Sequence, residues 1–416
     1  MARLCLREMK RGDGNRMTGA TEPAKGTAAE VFVAFLKLGL TSFGGPIAHL
    51  GYFRDELVTR RRWLDDRAYA DLVALCQFLP GPASSQVGFA LGMMRAGWIG
   101  ALAAFVAFTL PSALILLAFA LGAASIAGPV GTGALNGLKI VAVAIIAQAI
   151  WGMAKNLCPD PERATIAVGA VAVLAFVPGA IGMVGAIVLG GLAGLALGRG
   201  SGTPVSGDVT MPVSRGVAIG ALVTFLAALV LLPLLAGQSQ ALAVIDSFYR
   251  AGALVFGGGH VVLPLLEAEV VQTGWVTPDS FLAGYGAAQA VPGPLFTFAA
   301  YLGAVLGPTP NGMAGAALAL GAIFLPGFLL LVGLMPFWDR FRAMARAQSL
   351  MQGANAAVVG ILGAALYSPV FTGAIMDMRD FTLALICFVA LMAWKAPPWL
   401  VVMAAAIGGV ALALIG

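Results

Sequence analysis

Two cations at matching positions are the side chains of this sequence best placed to do chemistry. Lys37 and Arg250 lie in two stretches that repeat the same unusual residues at a constant separation of 213 positions, and each cation is surrounded by apolar residues. A charge in such surroundings is unfavourable unless it reaches a polar interface, meets a partner or binds an anion. The pair predicts a site for a small dianion between two related halves. The alternatives are a reach to the nearer interface or pairing with a local carboxylate such as Asp246.

The segments that would position these cations are interrupted twice by the same triplet. Pro-Gly-Pro occurs at Pro80, Gly81 and Pro82, and again at Pro292, Gly293 and Pro294. Each proline removes a backbone donor and the glycine adopts dihedrals that other residues avoid, so a helix cannot continue through the triplet. Broken backbone in an apolar region survives only where it is covered by protein or lines a wet cavity. The triplets therefore predict two broken or re-entrant helices along a substrate path.

Polar groups flank both breaks and are further candidates for substrate binding. A helix that restarts after each break presents free amides and the positive end of its dipole. Hydroxyl groups there either bind an oxyanion or bond back to the preceding turn. Glutamines before the breaks either fix the freed backbone or contact substrate, and paired glycines either bring amides to an anion or permit close packing. These candidates are Ser84, Ser85, Thr297, Gln77, Gln289, Gly45 and Gly258.

Glu56 and Glu269 also occupy equivalent positions and are candidates for proton coupling. A carboxylate near a substrate cavity can exchange protons with a moving anion. The alternative for Glu56 is a structural ion pair with Arg54 or Arg60.

Composition places the chain among membrane proteins. Of its 416 residues, 60% are hydrophobic and 10% are charged, which no soluble globular protein matches. We predict an all-α polytopic membrane protein built from two inverted-topology repeats with broken or re-entrant helices. The net charge of +5 is explained by basic cytoplasmic loops, so no nucleic-acid partner is expected.

Several function classes are excluded by what the sequence lacks. Its four cysteines have no paired spacing and its two histidines cannot form a histidine-rich site, so neither a disulfide nor a metal is expected. Nucleotide-binding loops and nucleophile motifs are also missing, so no cofactor and no enzymatic activity are predicted. Any transport would draw its energy from an ion gradient or the membrane potential.

The repeat defines the organisation of the chain. Selected residues between Phe35 and Glu56 have counterparts 213 positions later, and Trp63, Gln77 and Pro80 to Pro82 have theirs 212 positions later. Leu110-Pro111 recurs after 215 positions. A shared order of unusual residues over this distance indicates a duplication. We predict a flexible cytoplasmic tail (1–28), a first repeat (29–198), a linker with one connecting transmembrane helix (199–240) and a second, inverted repeat (241–416).

The distribution of arginines predicts that the two repeats face opposite ways. The connection Arg54 to Arg67 holds five arginines, whereas its counterpart Glu267 to Asp279 holds three acids and no arginine. Conversely, only the second Leu-Pro segment is followed by a basic cluster, Arg340 to Arg346. Placing the basic connections in the cytoplasm requires the Lys37 segment to enter and leave on one side. The carboxyl terminus then lies outside.

Five motifs occur in the two halves of the chain. They are FLKLGLTSFGGPIAHL (Phe35 to Leu50), RRRWLDD (Arg60 to Asp66), QFLPGPASSQ (Gln77 to Gln86), FGGGHVVLPLLEAE (Phe256 to Glu269) and QAVPGP (Gln289 to Pro294). Together they resemble the chromate ion transporter family in its long, two-domain bacterial form.

The resemblance implies export of chromate across the bacterial inner membrane and resistance to it, with sulfate as a chemically similar anion. The partners it implies are a chromate- or sulfate-type oxyanion and the lipid bilayer, and homodimerisation stays open. An oxyanion channel and a sulfate-type anion transporter are the alternatives.

Overall fold

The computed structural model describes residues 26–123, 128–200 and 213–415. The predicted tail therefore lies almost entirely outside the described residues, as does part of the predicted linker. Every regular element in the described part is a helix, and seven helices there are long and apolar enough to cross a membrane. The predicted class of all-α polytopic membrane protein is confirmed.

Seven helices form the first half. Helix α1 is short and ends just before Gly44, and α3 is short and ends just before the first Pro-Gly-Pro triplet. Helices α4 and α5 are the longest of the seven. The helices are α1 (Ala28–Thr41), α2 (Gly45–Phe53), α3 (Asp66–Phe78), α4 (Ala83–Ala123), α5 (Gly128–Leu157), α6 (Pro161–Phe176) and α7 (Ala180–Leu197).

A connecting helix and ten further helices complete the described chain. The order of short and long helices follows that of the first half. The helices are α8 (Arg215–Leu235), α9 (Gln240–Ala253), α10 (Val262–Leu266), α11 (Pro278–Ala288), α12 (Phe298–Ala304), α13 (Gly312–Leu334), α14 (Trp338–Arg342), α15 (Ala345–Ala365), α16 (Thr372–Ala374), α17 (Met378–Met392) and α18 (Pro398–Ile415).

Glycines with positive φ reverse the chain at the motifs. Gly44 and Gly257 separate the first two helical segments of each half with φ of 98° and 74°. At the Pro-Gly-Pro triplets, Gly81 and Gly293 have φ of 117° and 98°. Helix α1 has 14 residues, a length of about 21 Å that is too short for a bilayer core of about 30 Å. Helix α1 is therefore too short to span the bilayer core by itself, and the chain turns at Gly44 before α2 begins.

The Pro-Gly-Pro turn of each half contacts the glycine-rich turn of the other half. The Gly81 amide donates to the Val255 carbonyl oxygen over 2.7 Å, and the Gly293 amide donates to the Ser42 carbonyl oxygen over 2.9 Å. Val255 is the repeat equivalent of Ser42, and Gly293 that of Gly81. Each Pro-Gly-Pro turn thus closes on the glycine-rich turn of the other half. This exchange brings both breaks into the middle of the molecule.

The outer helices are exchanged as well. Helix α7, the last of the first half, packs along α15 where Gly190 and Gly194 meet Gly353. Helix α18, the last of the second half, packs along α5 where Gly409 meets Gly133 and Gly137. Glycines at these positions let the backbones approach without side chains between them. The last helix of each half therefore packs against a long helix of the other half.

Candidate functional site

The predicted cations are paired with the predicted acids. Lys37 Nζ lies 3.0 Å from Glu56 Oε2, and an Arg250 guanidinium nitrogen lies 2.9 Å from Glu269 Oε2. Both pairs span 19 residues. Both glutamates lie in π-helical turns that continue α2 and α10, a deviation often found at functional sites. The structure thus unites residues that the sequence singled out separately.

The surroundings of the two pairs differ in charge. Glu56 also accepts hydrogen bonds from Arg60 and Arg61, at 2.6 and 2.8 Å, so three cations surround one buried carboxylate. The predicted alternative of an Arg60 partner is observed, whereas Arg54 pairs with Asp66. The first-repeat network therefore carries a net positive charge.

In the second repeat one cation lies between two carboxylates. Arg250 contacts Asp246 and Glu269, both at 2.9 Å, and both acids are largely buried. This network carries a net negative charge. A dianion held between Lys37 and Arg250 would have to displace a carboxylate from each cation, so the predicted dianion pair stays a prediction.

Each hydroxyl predicted near the breaks has a different environment. Ser84 Oγ lies 3.4 Å from His49 Nδ1, and Ser85 Oγ is buried with no hydrogen-bond partner among the described residues. Thr297 Oγ1 instead donates to the Pro294 carbonyl oxygen over 2.7 Å. Only the first break therefore leaves hydroxyl groups directed away from their own backbone.

The glutamine that fixes the first break is Gln86. Its amide nitrogen donates to the carbonyl oxygens of Pro80 and Gly327, at 3.1 and 2.9 Å. Gln77 is exposed, and no hydrogen bond of its side chain is found within the described residues. The amide nitrogen of Gln289 is buried there without a partner. The side chain that stabilises the first break is therefore Gln86, which follows the break, and not Gln77, which precedes it.

Gly45 and Gly258 do not serve close packing. Their φ values are 78° and 148°. A Cβ at Gly45 would meet nothing within 4 Å, and one at Gly258 only the Met153 sulfur at 4.0 Å. Backbone conformation, rather than space, requires glycine at both positions.

Ser42, His49 and Thr109 are polar residues near the first break that the sequence interpretation passed over. They are 0%, 1% and 2% exposed, and each has a side-chain atom without a hydrogen-bond partner in the described structure. The second repeat has Val262 at the position equivalent to His49, and this difference between the repeats is the signal in the sequence that points to it.

One end of the molecule is closed by a buried ion pair between the halves. Asp71 of α3 is 1% exposed and accepts hydrogen bonds from Arg342 at 2.7 Å and from Trp338 Nε1 at 3.3 Å. The Trp338 ring also packs on Phe78, with ring centroids 5.6 Å apart. Met335 lies in the same apolar cluster.

The other end contains an open cavity of about 700 Å³. Lys139 and Asp279, which face each other at 3.0 Å, line it together with Ser280 and Tyr301. Two further lining residues, Ala120 and Ala283, are the repeat equivalents of Met335 and Asp71. The cavity and the closed cluster therefore occupy corresponding places in the two repeats.

The packing of α4 on α13 shows that these places lie at opposite ends. Ala101 of α4 packs with Val332 near the end of α13, and Ala113 packs with Ala316 near its start. The two helices are antiparallel, so Ala120 lies far from Trp338. About 20 residues of helix, roughly 30 Å, separate the two ends.

No cluster of metal-ligating side chains occurs among the described residues. Cys76, Cys158 and Cys387 are all free thiols. The functional groups available are therefore hydroxyl, amide, imidazole and ion-paired side chains.

Three bacterial proteins with similar sequences are named as chromate transport proteins or probable ones. The chromate transport protein of Pseudomonas aeruginosa is 31% identical over 345 residues, covering 80% of this chain and 79% of the relative. That of Cupriavidus metallidurans is 28% identical over 399 residues, covering 94% of both. The probable chromate transport protein of Synechococcus elongatus is 31% identical over 412 residues, covering 90% of this chain and 93% of the relative.

No solved structure matches this chain significantly. A family model described as chromate transporter matches it twice, over residues 29–195 and 242–410. With seven apolar helices able to cross a membrane, this is a multi-pass bacterial membrane protein. The chain belongs to the chromate transporter family, a family of transport proteins and not of enzymes.

Proposed function

We propose that this protein is a secondary carrier that exports chromate across the bacterial inner membrane and thereby confers chromate resistance. Membership of the family and the names of three relatives support chromate as the substrate. Chromate is a tetrahedral dianion, as is sulfate, so sulfate is expected to compete for the same site.

The observation that carries the mechanism is the difference between the two ends. Asp71, Arg342 and Trp338 close one end, while the corresponding place at the other end is a cavity of about 700 Å³. A carrier that works by alternating access must have states open to one side only. An open channel needs both ends accessible at once, so this arrangement favours a carrier.

Charge assigns a side to each end. The closed end includes Arg342 and the arginine-rich connection after α2, which the positive-inside rule places in the cytoplasm. The cavity then opens to the outside. The inverted orientation of the second repeat is part of this proposal. The contact between Asp71 and Arg342 supports it, because Asp71 follows the first basic connection by four residues and Arg342 lies within the second.

The first repeat offers the more favourable surroundings for an anion. Three cations surround Glu56, so Lys37 can attract a dianion without leaving that carboxylate unpaired. Arg250 is held by two acids and is less available. Glu56 and Glu269 remain the candidates for proton coupling, since a change in protonation would loosen either pair.

Transport of radiolabelled chromate into inverted inner-membrane vesicles tests this function. We expect saturable uptake that sulfate inhibits and that falls when the coupling gradient is removed, with the pH gradient and the membrane potential collapsed separately. Counterflow against preloaded chromate distinguishes a carrier from a channel, which shows none. Lack of uptake above that of vesicles without the protein would refute the proposal.

Reporter fusions test the orientation. Reporters placed after Asp279 and after Arg346 are expected to lie on opposite sides of the membrane, outside and inside respectively. Fusions on the same side would contradict the inverted arrangement while leaving the transport activity untouched.

A further inference from the structure

A group of buried polar side chains surrounds the first break and is not explained by the fold. Ser42, His49, Ser84, Ser85 and Thr109 are each at most 3% exposed. Within the described residues, Ser42 Oγ, His49 Nε2, Ser85 Oγ and Thr109 Oγ1 have no hydrogen-bond partner. These residues are called the polar cluster below.

Contacts between their segments hold the polar cluster together. His49 of α2 reaches Ser84 in the first turn of α4, with Nδ1 and Oγ 3.4 Å apart. Its ring also packs edge-on against Phe108, at a centroid distance of 5.5 Å, next to Thr109. Helix α4 is interrupted by non-helical dihedrals at Ala96 and Gly97, and Ser84 and Thr109 lie on opposite sides of this interruption. The turn after α1, helix α2 and both parts of α4 therefore converge on this point.

The second break covers the polar cluster. The Gly293 amide donates to the Ser42 carbonyl oxygen over 2.9 Å. A Cβ at Gly293 would lie 2.9 Å from Ser112 Oγ, and Ser112 in turn donates to the Thr109 carbonyl oxygen. The Pro-Gly-Pro turn of the second repeat thus lies directly against the polar residues of the first.

The equivalent residues of the second repeat are almost all apolar. Ser42 and His49 correspond to Val255 and Val262, Ser84 to Phe296, and Thr109 to Phe324. These four are all at most 2% exposed. The exception is Thr297, the equivalent of Ser85, and its hydroxyl bonds to its own Pro294 carbonyl. The second repeat shows that this turn arrangement folds with an apolar lining.

Burial makes the difference between the repeats informative. A buried hydroxyl or imidazole without a partner costs about 1–3 kcal/mol, so four such atoms are a substantial cost to the fold. Since the second repeat builds the same turns without them, folding does not require these groups. A ligand that binds them in another step of the cycle accounts for their presence.

We propose that the polar cluster is the oxyanion-binding pocket of the carrier, formed in the first repeat alone and covered by the Pro292-Gly293-Pro294 turn. This inference rests on the proposed function and adds the location of the substrate. It replaces a symmetric site between two cations by a one-sided site of neutral donors in the first repeat.

The chemistry of the pocket suits a tetrahedral oxyanion. Hydroxyl groups and an imidazole N–H donate to anionic oxygens, and four oxygens in a tetrahedral arrangement can accept from several directions at once. Helices α2 and α4 both begin here, so their amino-terminal amides add positive potential without a formal charge. Gln86 Oε1 is buried without a hydrogen-bond partner among the described residues. As an acceptor, it can receive a hydrogen bond from water or from the protonated form of the anion.

The substrate reaches the pocket when the Pro292-Gly293-Pro294 turn moves away from it. The Gly293 contact with Ser42 is a single backbone hydrogen bond, and the turn belongs to the half that must move relative to the first repeat during alternating access. Displacement of this turn opens the pocket. Its return closes the pocket over the bound anion.

Binding to the purified full-length protein in detergent tests the pocket, with chromate and sulfate as the probes. Ser85→Ala and His49→Asn are expected to weaken binding of both anions about tenfold or more each, since a hydrogen bond to a charged group contributes that much. Thr297→Val is the matched control, because it removes the equivalent hydroxyl of the second repeat. It is expected to leave the dissociation constant unchanged.

The outcomes separate the pocket from the function. If the wild type transports and binds chromate but Ser85→Ala and His49→Asn bind it equally well, the polar cluster holds water alone and the pocket assignment is wrong. If Thr297→Val weakens binding as much as Ser85→Ala, the one-sided site is wrong. If wild-type vesicles transport no chromate, the proposed function itself fails. Melting temperatures of the variants confirm that each is folded.

Discussion

The two repeats share their turns but differ in what lines them. In both, a Pro-Gly-Pro turn donates one amide to the glycine-rich turn of the other half, and a cation pairs with a glutamate 19 residues later. Around these common features the first repeat places hydroxyl groups, an imidazole and excess positive charge. The second places valine, phenylalanine and excess negative charge.

This difference indicates a division of roles after duplication. In both halves, one amide of the Pro-Gly-Pro turn is satisfied by a carbonyl oxygen of the other half. The lining is free to change, since only one binding surface is needed for one substrate. The first repeat then binds the anion, while the apolar second repeat provides the rigid body that moves against it.

The largest loss of stability is expected at the end of the molecule where Asp71 pairs with Arg342, which differs from the open cavity at the other end. Arg342→Ala leaves the Asp71 carboxylate buried with Trp338 as its remaining donor in the described structure. Loss of one partner of a buried pair costs about 3–5 kcal/mol. We expect a much lower melting temperature and an opening of this end. Thiol labelling of Ala74→Cys measures the opening, since position 74 lies one helical turn after Asp71 on α3 and is partly buried.

Lys139→Ala is the matched variant at the open end. Its partner Asp279 has a side chain that is 78% exposed, so water replaces the lost contact. A change of about 0.5 kcal/mol or less is expected. Equal losses of stability in Arg342→Ala and Lys139→Ala would show that the two ends are energetically alike.

The cation networks give the next largest difference. Arg250→Ala removes the partner of two buried acids and is expected to destabilise the protein by about 2–3 kcal/mol, since the arginine is partly exposed. Lys37→Ala leaves Glu56 with Arg60 and Arg61, so little stability is lost. Both variants are expected to lose chromate resistance in cells.

Protein levels and melting temperatures separate the two causes. Loss of resistance should follow loss of folded protein in Arg250→Ala, and Asp246→Asn in that background should restore part of it. Lys37→Ala should remain folded yet inactive. Normal resistance in both single variants would remove any role of these cations in transport.

Much of this architecture was readable from the sequence because breaks and charges in apolar segments are rare and costly. Pro80 to Pro82 and Pro292 to Pro294 marked the helix breaks, and the matching spacing of Lys37 and Arg250 marked the repeat. The prediction that the Lys37 segment enters and leaves on one side rests on the arginines around it and stays a prediction. The breaks and the repeat are visible because residue identities alone reveal them.

The contacts between the two halves could not be predicted from the sequence in the same way. The reciprocal bonds of Gly81 and Gly293 join residues about 170 to 250 positions apart, and backbone atoms carry no sequence signature. Asp71 and Arg342 were visible as charges, but their contact depends on how the halves dock. The polar cluster is not visible in the residues that the two repeats share, because its members are the residues at which the repeats differ.

The glycine turns provide a smaller comparison. Gly258 has φ of 148° and ψ of 162°, a region open only to glycine, whereas Gly45 has φ of 78°. Alanine is therefore expected to cost about 1 kcal/mol more at position 258 than at position 45, with no steric contribution at either. Chemical unfolding of the two variants measures this difference, and a larger loss for Gly45→Ala would contradict it.

The smallest effects concern exchange of the two linings, and their signs are opposite. Thr109→Val removes a buried hydroxyl that has no partner among the described residues and keeps the shape of the side chain, so we expect the protein to gain about 1 kcal/mol of stability. Val255→Thr adds such a hydroxyl to the second repeat and should lose a similar amount. Unfolding of both variants, measured beside their affinity for chromate, should show that Thr109→Val becomes more stable but binds more weakly, while Val255→Thr becomes less stable and binds as before. If Thr109→Val were instead destabilised with unchanged affinity, the hydroxyl would serve the fold, and the polar lining of the first repeat would need no ligand to explain it.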